Sequence, residues 1–183
     1  MKRSHLVREI IEIVALTVLI FVVIHFVIQS YHVQGANMQP SFTADQYVMV
    51  NKSAYLFRTI ERGDVVVFHN PRDTAQDLIE RVIGLPGDTI QIDSTTIRVN
   101  GVLLNEQPYV KVATNPLANT WKVPANQYFV LNDNRQIADD SRTWDSVPKD
   151  YIIGKAILVY WPLNNMRFVD THTPVYTQIK AGK

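Results

Sequence analysis

Residues 62–104 read RGDVVVFHNPRDTAQDLIERVIGLPGDTIQIDSTTIRVNGVLL, short apolar runs broken by turn residues. The runs at 64–68, 89–92 and 96–99 have strand length and are rich in Val and Ile. Leu85-Pro86-Gly87-Asp88 is a turn, because Pro fixes one φ and Gly supplies a conformation other residues avoid. Asn100-Gly101, set between Arg98-Val99 and Val102-Leu103-Leu104, is a hairpin signal, since Asn-Gly tolerates positive φ at both turn positions. Residues 70–76 (NPRDTAQ) are polar and turn-rich and read as an exposed loop.

Further runs at 46–50, 128–131 and 152–160 continue the series on either side. Residues 111–121 read as irregular, and no segment beyond residue 33 sustains a 3.6-residue period, so helices there should be short. The reading is a mainly β domain over 33–169, followed by a loosely held tail over 170–183.

A different pattern precedes the β region. Residues 10–28 read IIEIVALTVLIFVVIHFVI, and a membrane helix is expected over 10–29. Lys2, Arg3 and Arg8 lie before it, and no further Lys or Arg follows until Lys52. The positive-inside rule then places residues 1–9 in the cytoplasm and the β domain outside, a single-pass protein of the plasma membrane. Tyr31 suits the membrane–water interface. A cleaved signal peptide is the competing reading. It is disfavoured because the apolar run exceeds 7–15 residues and Gln29-Ser30-Tyr31-His32 offers no small-x-small site.

Composition excludes several classes. A formal net charge of +1 gives no field that would suggest a nucleic-acid partner. Hydrophobic residues at 46% exclude a disordered chain, and the absence of cysteine excludes disulfides, thiolate metal sites and a Cys nucleophile. The five histidines are scattered without a metal-ligand spacing, so neither metal nor other cofactor is expected.

Four segments, taken in order, resemble the bacterial type I signal peptidases, the membrane-anchored serine peptidases of family S26. Gly35-Ala36-Asn37-Met38-Gln39-Pro40 is similar to the S-M-x-P nucleophile motif, and residues 46–52 (QYVMVNK) follow it. Residues 62–68 and 80–88 are similar to the frames R-G-D-V-V-x-F and K-R-V-I-G-x-P-G-D. Asn132-Asp133-Asn134-Arg135 with Asp140-Ser141-Arg142 is similar to G-D-N-R-x-x-S-x-D-S-R.

The resemblance implies a signal-peptidase-like β domain of coiled antiparallel sheets behind one N-terminal transmembrane helix. It also implies a Ser–Lys dyad, in which a neutral lysine accepts the proton of the attacking serine. Here the serine position is Asn37 and the lysine position Glu80. The serine that would orient the lysine is Ala138, and two family glycines are Asn132 and Asp145. Asp133, Asp140 and Arg142 match charged residues for which the resemblance implies a supporting carboxylate–guanidinium contact. Gly35, Asn37, Met38 and Pro40 are the candidates for an oxyanion- or peptide-binding site.

The expectation is therefore a catalytically degenerate family member, a pseudoenzyme with no intact catalytic residue. It would bind extended or signal peptides of exported precursors by strand addition. The alternative is an active signal peptidase I-type endopeptidase with a non-standard mechanism, for which Ser41, Ser30, Ser141, Lys52, Lys155, His32 and His69 are the substitutes to weigh. Membrane lipid around the helix and an active signal peptidase paralogue are the other expected partners. An exposed apolar patch around Met38 and Phe42 would seat the domain on the membrane.

Overall fold

A computed structural model of the chain describes residues 2–112, 117–180 and 182. Residues 113–116 of the irregular stretch, residue 1 of the N-terminal segment, and residues 181 and 183 of the tail lie outside the described residues. The chain opens with α1 (Lys2–Val27), within which Val7–Val27 is long and apolar enough to cross a membrane. At 1.5 Å per residue those 21 residues span about 30 Å, the thickness of a bilayer core. The helix stops two residues before the expected boundary at 29. Ile28 begins β1 (Ile28–His32), which pairs antiparallel with β2 (Tyr47–Asn51), and the Lys52 N–H donates to the Val27 carbonyl at 2.8 Å. Pairing with β2 gives the backbone of Ile28 and Gln29 partners that a continued helix would have to forgo.

Beyond β2 the strands are β3 (Val65–Asn70), β4 (Asp73–Gly84), β5 (Thr89–Ile92), β6 (Ile97–Val99) and β7 (Val102–Leu103). They are followed by β8 (Asn119–Lys122), β9 (Gln127–Leu131), the short helix α2 (Ser141–Trp144), β10 (Val147–Pro148), β11 (Ile152–Trp161) and β12 (Arg167–Phe168). Eight strands form a large sheet in the order β1-β2-β11-β3-β4-β9-β10, with β12 on β11. The smaller sheet runs β7-β6-β5-β8. All pairings are antiparallel.

The apolar runs read from sequence lie in these strands, and Asn100-Gly101 joins β6 to β7 with φ of +52° and +81°. Three readings change. Residues 73–76 are exposed, as expected, but they belong to the long arm of β4 rather than to a loop; Asp73 pairs with Asn70 at the end of β3, and 74–76 fall in a bulge before Asp77 pairs with His69. Residues 119–122 form β8, whose polar sequence pairs with β5. The tail is held rather than loose. Tyr176 and Ile179 are buried in the core of the small sheet, and the Tyr176 hydroxyl lies 2.7 Å from that of Tyr109. The Asn100 carboxamide donates to the Lys180 carbonyl at 2.9 Å.

Both faces of the large sheet are covered, so β3 and the end of β4 are buried on successive residues. Val65, Val67 and Ile79 pack with Met38 and Phe42 in one core cluster. Val66, Phe68, Val82, Tyr128, Val130 and Val147 form another on the opposite face. Met38 and Phe42 are thus interior, while Phe168 of β12, which lines a cavity with Pro40 and Phe42, stands 82% exposed. Tyr31 is partly buried against the same cluster, its hydroxyl donating to the Asp77 carbonyl at 3.0 Å, and burial pushes its pKa up to about 12. Leu56 and Phe57 are also exposed, between β2 and β3.

Candidate active site

Glu80 sits in β4 with the period of a strand, on the same face as Leu78 and Val82. It is opposite Val66 in β3. On the other side, Arg81 pairs with Leu131 and Val82 with Val130. The paired register ends at Arg81 and Leu131, so Glu80 and Asn132 each adjoin its last pair. Glu80 is 1% exposed and Asn132 fully buried. Neither carboxyl oxygen of Glu80, nor Oδ1 of Asn132, has a hydrogen-bond partner among the described residues. Burial pushes the Glu80 pKa well above the usual carboxylate range. Asp140 and Asp139 push the same way, against Arg142 and Arg135. Burial thus favours the neutral acid over the carboxylate.

The loop after β9 closes over this pair. Asn132 Nδ2 donates to the carbonyls of Ile137 (3.3 Å) and Asp139 (3.0 Å), which bracket Ala138. Ala138 brings only a methyl group, and its carbonyl accepts from the Thr143 hydroxyl. Asp140 caps α2, accepting from the Arg142 N–H, and also accepts from the Asn132 N–H at 3.1 Å. Arg142 grips Asp140 through Nε (2.8 Å) and Nη2 (2.6 Å) and donates to the Arg135 carbonyl at 2.7 Å. Asp133 is held by Arg81, with Nε and Nη2 each at 2.8 Å. Arg81 went unremarked in the sequence, although it directly follows Glu80. Its alternation to the opposite face is what sends it to Asp133.

The segment of Asn37 is stitched to the same loop. Asn134 donates its N–H to the Asn37 carbonyl at 2.9 Å and its Nδ2 to the Ala36 carbonyl at 3.1 Å. Met38 is buried, and its sulfur accepts from the Asp133 N–H at 3.4 Å. Gly35 turns with φ of +72°, and Pro40 follows a cis peptide bond. The Asn37 N–H has no acceptor among the described residues, and its side chain is partly buried. Asn37, through Asn134, and Glu80, through Asp139 and Asp140, are therefore brought to the loop that carries Ala138. The arrangement offers the free Asn37 N–H to an extended peptide. It holds no hydroxyl at residue 37 and no amine at residue 80.

The substitutes each have other work. Ser41 donates to Asp133 at 2.5 Å, and its carbonyl accepts from Arg167. Ser30 bonds the Tyr160 hydroxyl, and Ser141 Oγ is buried, accepting from the Val130 N–H. Lys155 is paired with Asp64, His69 with Asp77 and His32 with Asp45. Lys52 lies at the end of α1. Among the described residues no group of three His, Asp or Glu is placed to hold a metal ion.

The two glycine positions of the resemblance part company here. Asp145 has φ of +75° and ψ of −164°, a region essentially reserved for glycine. Asn132 has no such backbone, so its side chain changes the space of the site rather than its strain. Asp145→Gly is expected to raise stability by about 1–3 kcal/mol. Thermal unfolding of the full-length protein in detergent measures it, and an unchanged or lower midpoint would contradict the strain.

Comparison with known proteins follows the same lines. Residues 6–161 match the family model described as signal peptidase, peptidase S26. Signal peptidase IB of Staphylococcus aureus (strain MRSA252) is 31% identical over 186 residues, covering 91% of this chain and 95% of its own. Signal peptidase I of Leptolyngbya laminosa is 34% identical over 148 residues, covering 77% of this chain and 72% of its own. The crystal structure of a signal peptidase I from Enterococcus faecalis V583 is 31% identical with a TM-score of 0.44. It covers 54% of this chain and 97% of that one.

Proposed function

The chain belongs to the S26 family of signal peptidases, and from that membership we propose a membrane-anchored member that binds signal-peptide-like segments without cleaving them. The observation that carries this reading is the setting of Glu80 at the lysine position: buried, with neither carboxyl oxygen hydrogen-bonded among the described residues, and with burial favouring its neutral form. A neutral carboxyl group cannot accept a proton from a nucleophile, and the carboxamide of Asn37 has none to give. Loss of both functions removes the reaction as a unit.

Binding needs neither group. The free Asn37 N–H and the ordered segment 35–40 suit backbone recognition of an extended peptide, in which hydrogen bonds give affinity and side-chain pockets select. The basic residues Lys2, Arg3 and Arg8 in the N-terminal part of α1 favour a cytoplasmic N-terminus with the β domain outside.

Full-length protein in detergent, incubated with an exported precursor, is expected to leave it uncut while retaining a fluorescent signal peptide. Site-specific cleavage that persists after removal of host peptidase would overturn the proposal in favour of a non-standard mechanism. Absence of both cleavage and peptide affinity would leave the domain a structural role.

A further inference from the structure

We propose that the C-terminal segment over residues 170–180 is a pH-sensitive latch on the candidate site, closed while the His172 ring is neutral and opened when that ring takes up a proton in mild acid. The latch itself stands on the contacts of this segment. Its effect on peptide affinity rests on the binding role proposed above.

The segment is pinned at two places, and both lead to the candidate site. At the first, the Asp170 carbonyl accepts from Arg81 Nη1 at 3.0 Å, and the same nitrogen bonds the Gly63 carbonyl at 2.9 Å. Arg81 is the guanidinium that grips Asp133, whose N–H meets the Met38 sulfur. The approach is close, since a Cβ on Gly63 would stand 2.1 Å from the Thr171 carbonyl oxygen. At the second, Tyr176 and Ile179 enter the core of the small sheet. The Tyr109 hydroxyl donates to Glu106 at 2.8 Å, so Tyr176 is the donor in the 2.7 Å pair of hydroxyls. Glu106 also accepts from Arg135 Nη2 at 2.5 Å, and the Arg135 carbonyl holds Arg142. Two hydrogen-bonded chains thus run from the tail to residues 133–142 and, through Met38, to the segment of Asn37.

His172 stands between the pins. Its backbone is left-handed, with φ of +49° and ψ of +37°, and its N–H donates to Asp170 Oδ1 at 2.7 Å. The ring stacks on Tyr109 with centroids 5.0 Å apart, and the Arg81 guanidinium lies 4.5 Å from the centre of the same Tyr109 ring. The charges acting on it are Arg81 of β4, Asp133 after β9 and Asp170 of its own segment, while Arg167 of β12 lines the same cavity. Asp133 is committed to Arg81, and Asp170, 3.5 Å from Nδ1, is 72% exposed and screened by water. Burial, and then Arg81, hold the His172 pKa below its ordinary value against these two carboxylates.

A released tail hydrates the ring, which then titrates near its ordinary value of about 6.5. Docked, the ring holds its proton less well, so docking is complete above that value and is lost as pH falls toward the docked pKa. Each unit between the two values weakens docking about tenfold. Glu80 acts in the opposite sense, costing stability as pH rises, so the two titrations are separable.

The chain has no cysteine, so Gln178→Cys at an exposed position carries a single environment-sensitive fluorophore. In the full-length protein in detergent, the label should report a docked tail near neutrality and a mobile one as pH falls from about 7.5 to about 5.5, where ordinary carboxylates stay ionised. Affinity of the unlabelled protein for a fluorescent signal peptide should fall over the same interval. His172→Asn suits a left-handed backbone and cannot ionise, and its tail should stay docked throughout. His172→Lys carries a permanent charge, and its tail should be free at neutral pH. A natural tail that stays docked in acid, a release that survives in His172→Asn, or a release that comes only with loss of the circular dichroism of the whole fold would overturn the latch. So would a His172→Asn tail already free at neutral pH, which would assign the hold to the ring rather than to its charge. Release with an unchanged peptide affinity would overturn the link to the site, whereas no peptide affinity at any pH would count against the binding role alone.

Discussion

Asn37→Ser, Glu80→Lys and Ala138→Ser made together are expected to leave the protein unable to cleave an exported precursor. Adding Asn132→Gly should raise site-specific cleavage about 10³-fold above that triple variant, the scale of a working general base. The reason lies in the ladder between β4 and β9, whose last pair, Arg81 with Leu131, is adjoined by residues 80 and 132. The Asn132 carboxamide is fully buried and spans from β9 to the carbonyls on both sides of Ala138. A lysine at 80 would therefore meet that carboxamide and its donors where it needs a dry, unobstructed path to residue 37. Glycine at 132 removes the side chain and frees the space beside residue 138. Precursor cleavage by each variant, with melting midpoints to confirm folding, decides the matter. Activity in the triple variant would show that Asn132 does not block the site. A folded but inactive quadruple variant would move the cause to Asp145 and the segment it ends.

Stability is expected to fall as pH rises, with Glu80 as the source. Its pKa is raised in the folded protein, so the unfolded chain releases the proton first, near the ordinary carboxylate value. Below that value both states are protonated and the contribution of the group is fully present. As pH climbs toward the folded pKa the unfolded state binds fewer protons than the folded one, and stability is progressively lost. Glu80→Gln keeps the size of the side chain and cannot ionise. It should flatten this part of the profile and exceed the natural protein on the alkaline side, by about 1.4 kcal/mol for each unit separating the folded from the unfolded pKa. Thermal midpoints of both proteins across pH in detergent measure the difference. Parallel profiles would show that Glu80 is paired or hydrated and carries no such cost.

Local pattern was enough for much of the architecture. The continuous apolar run marks α1, because a bilayer demands an unbroken stretch of such residues. Strands β3, β5, β6 and β11 follow from Val- and Ile-rich runs between turns, and Asn100-Gly101 announces its hairpin. Less was legible where tertiary pairing outweighs composition. Asp73 and β8 are polar, yet Asp73 pairs with the end of β3 and β8 with β5. Tyr176 and Ile179 follow a stretch of weak pattern, and they are held because the core of the small sheet leaves room for them.

The identities of Asn37, Glu80 and Ala138 were visible in the sequence, as was the case for doubting a reaction among them. A residue type alone limits its chemistry: a carboxamide has no hydroxyl, and a methyl group orients nothing. The raised pKa of Glu80 and the burial of Asn132 were not visible. They depend on the ladder that joins β4 to β9, on burial, and on a loop whose nearby carboxylates outweigh its guanidinium groups. The same folding turns Met38 and Phe42 inward and leaves Leu56 and Phe57 outside. Side-chain chemistry is local, whereas solvation, charge balance and exposure arise from what distant parts of the chain bring alongside.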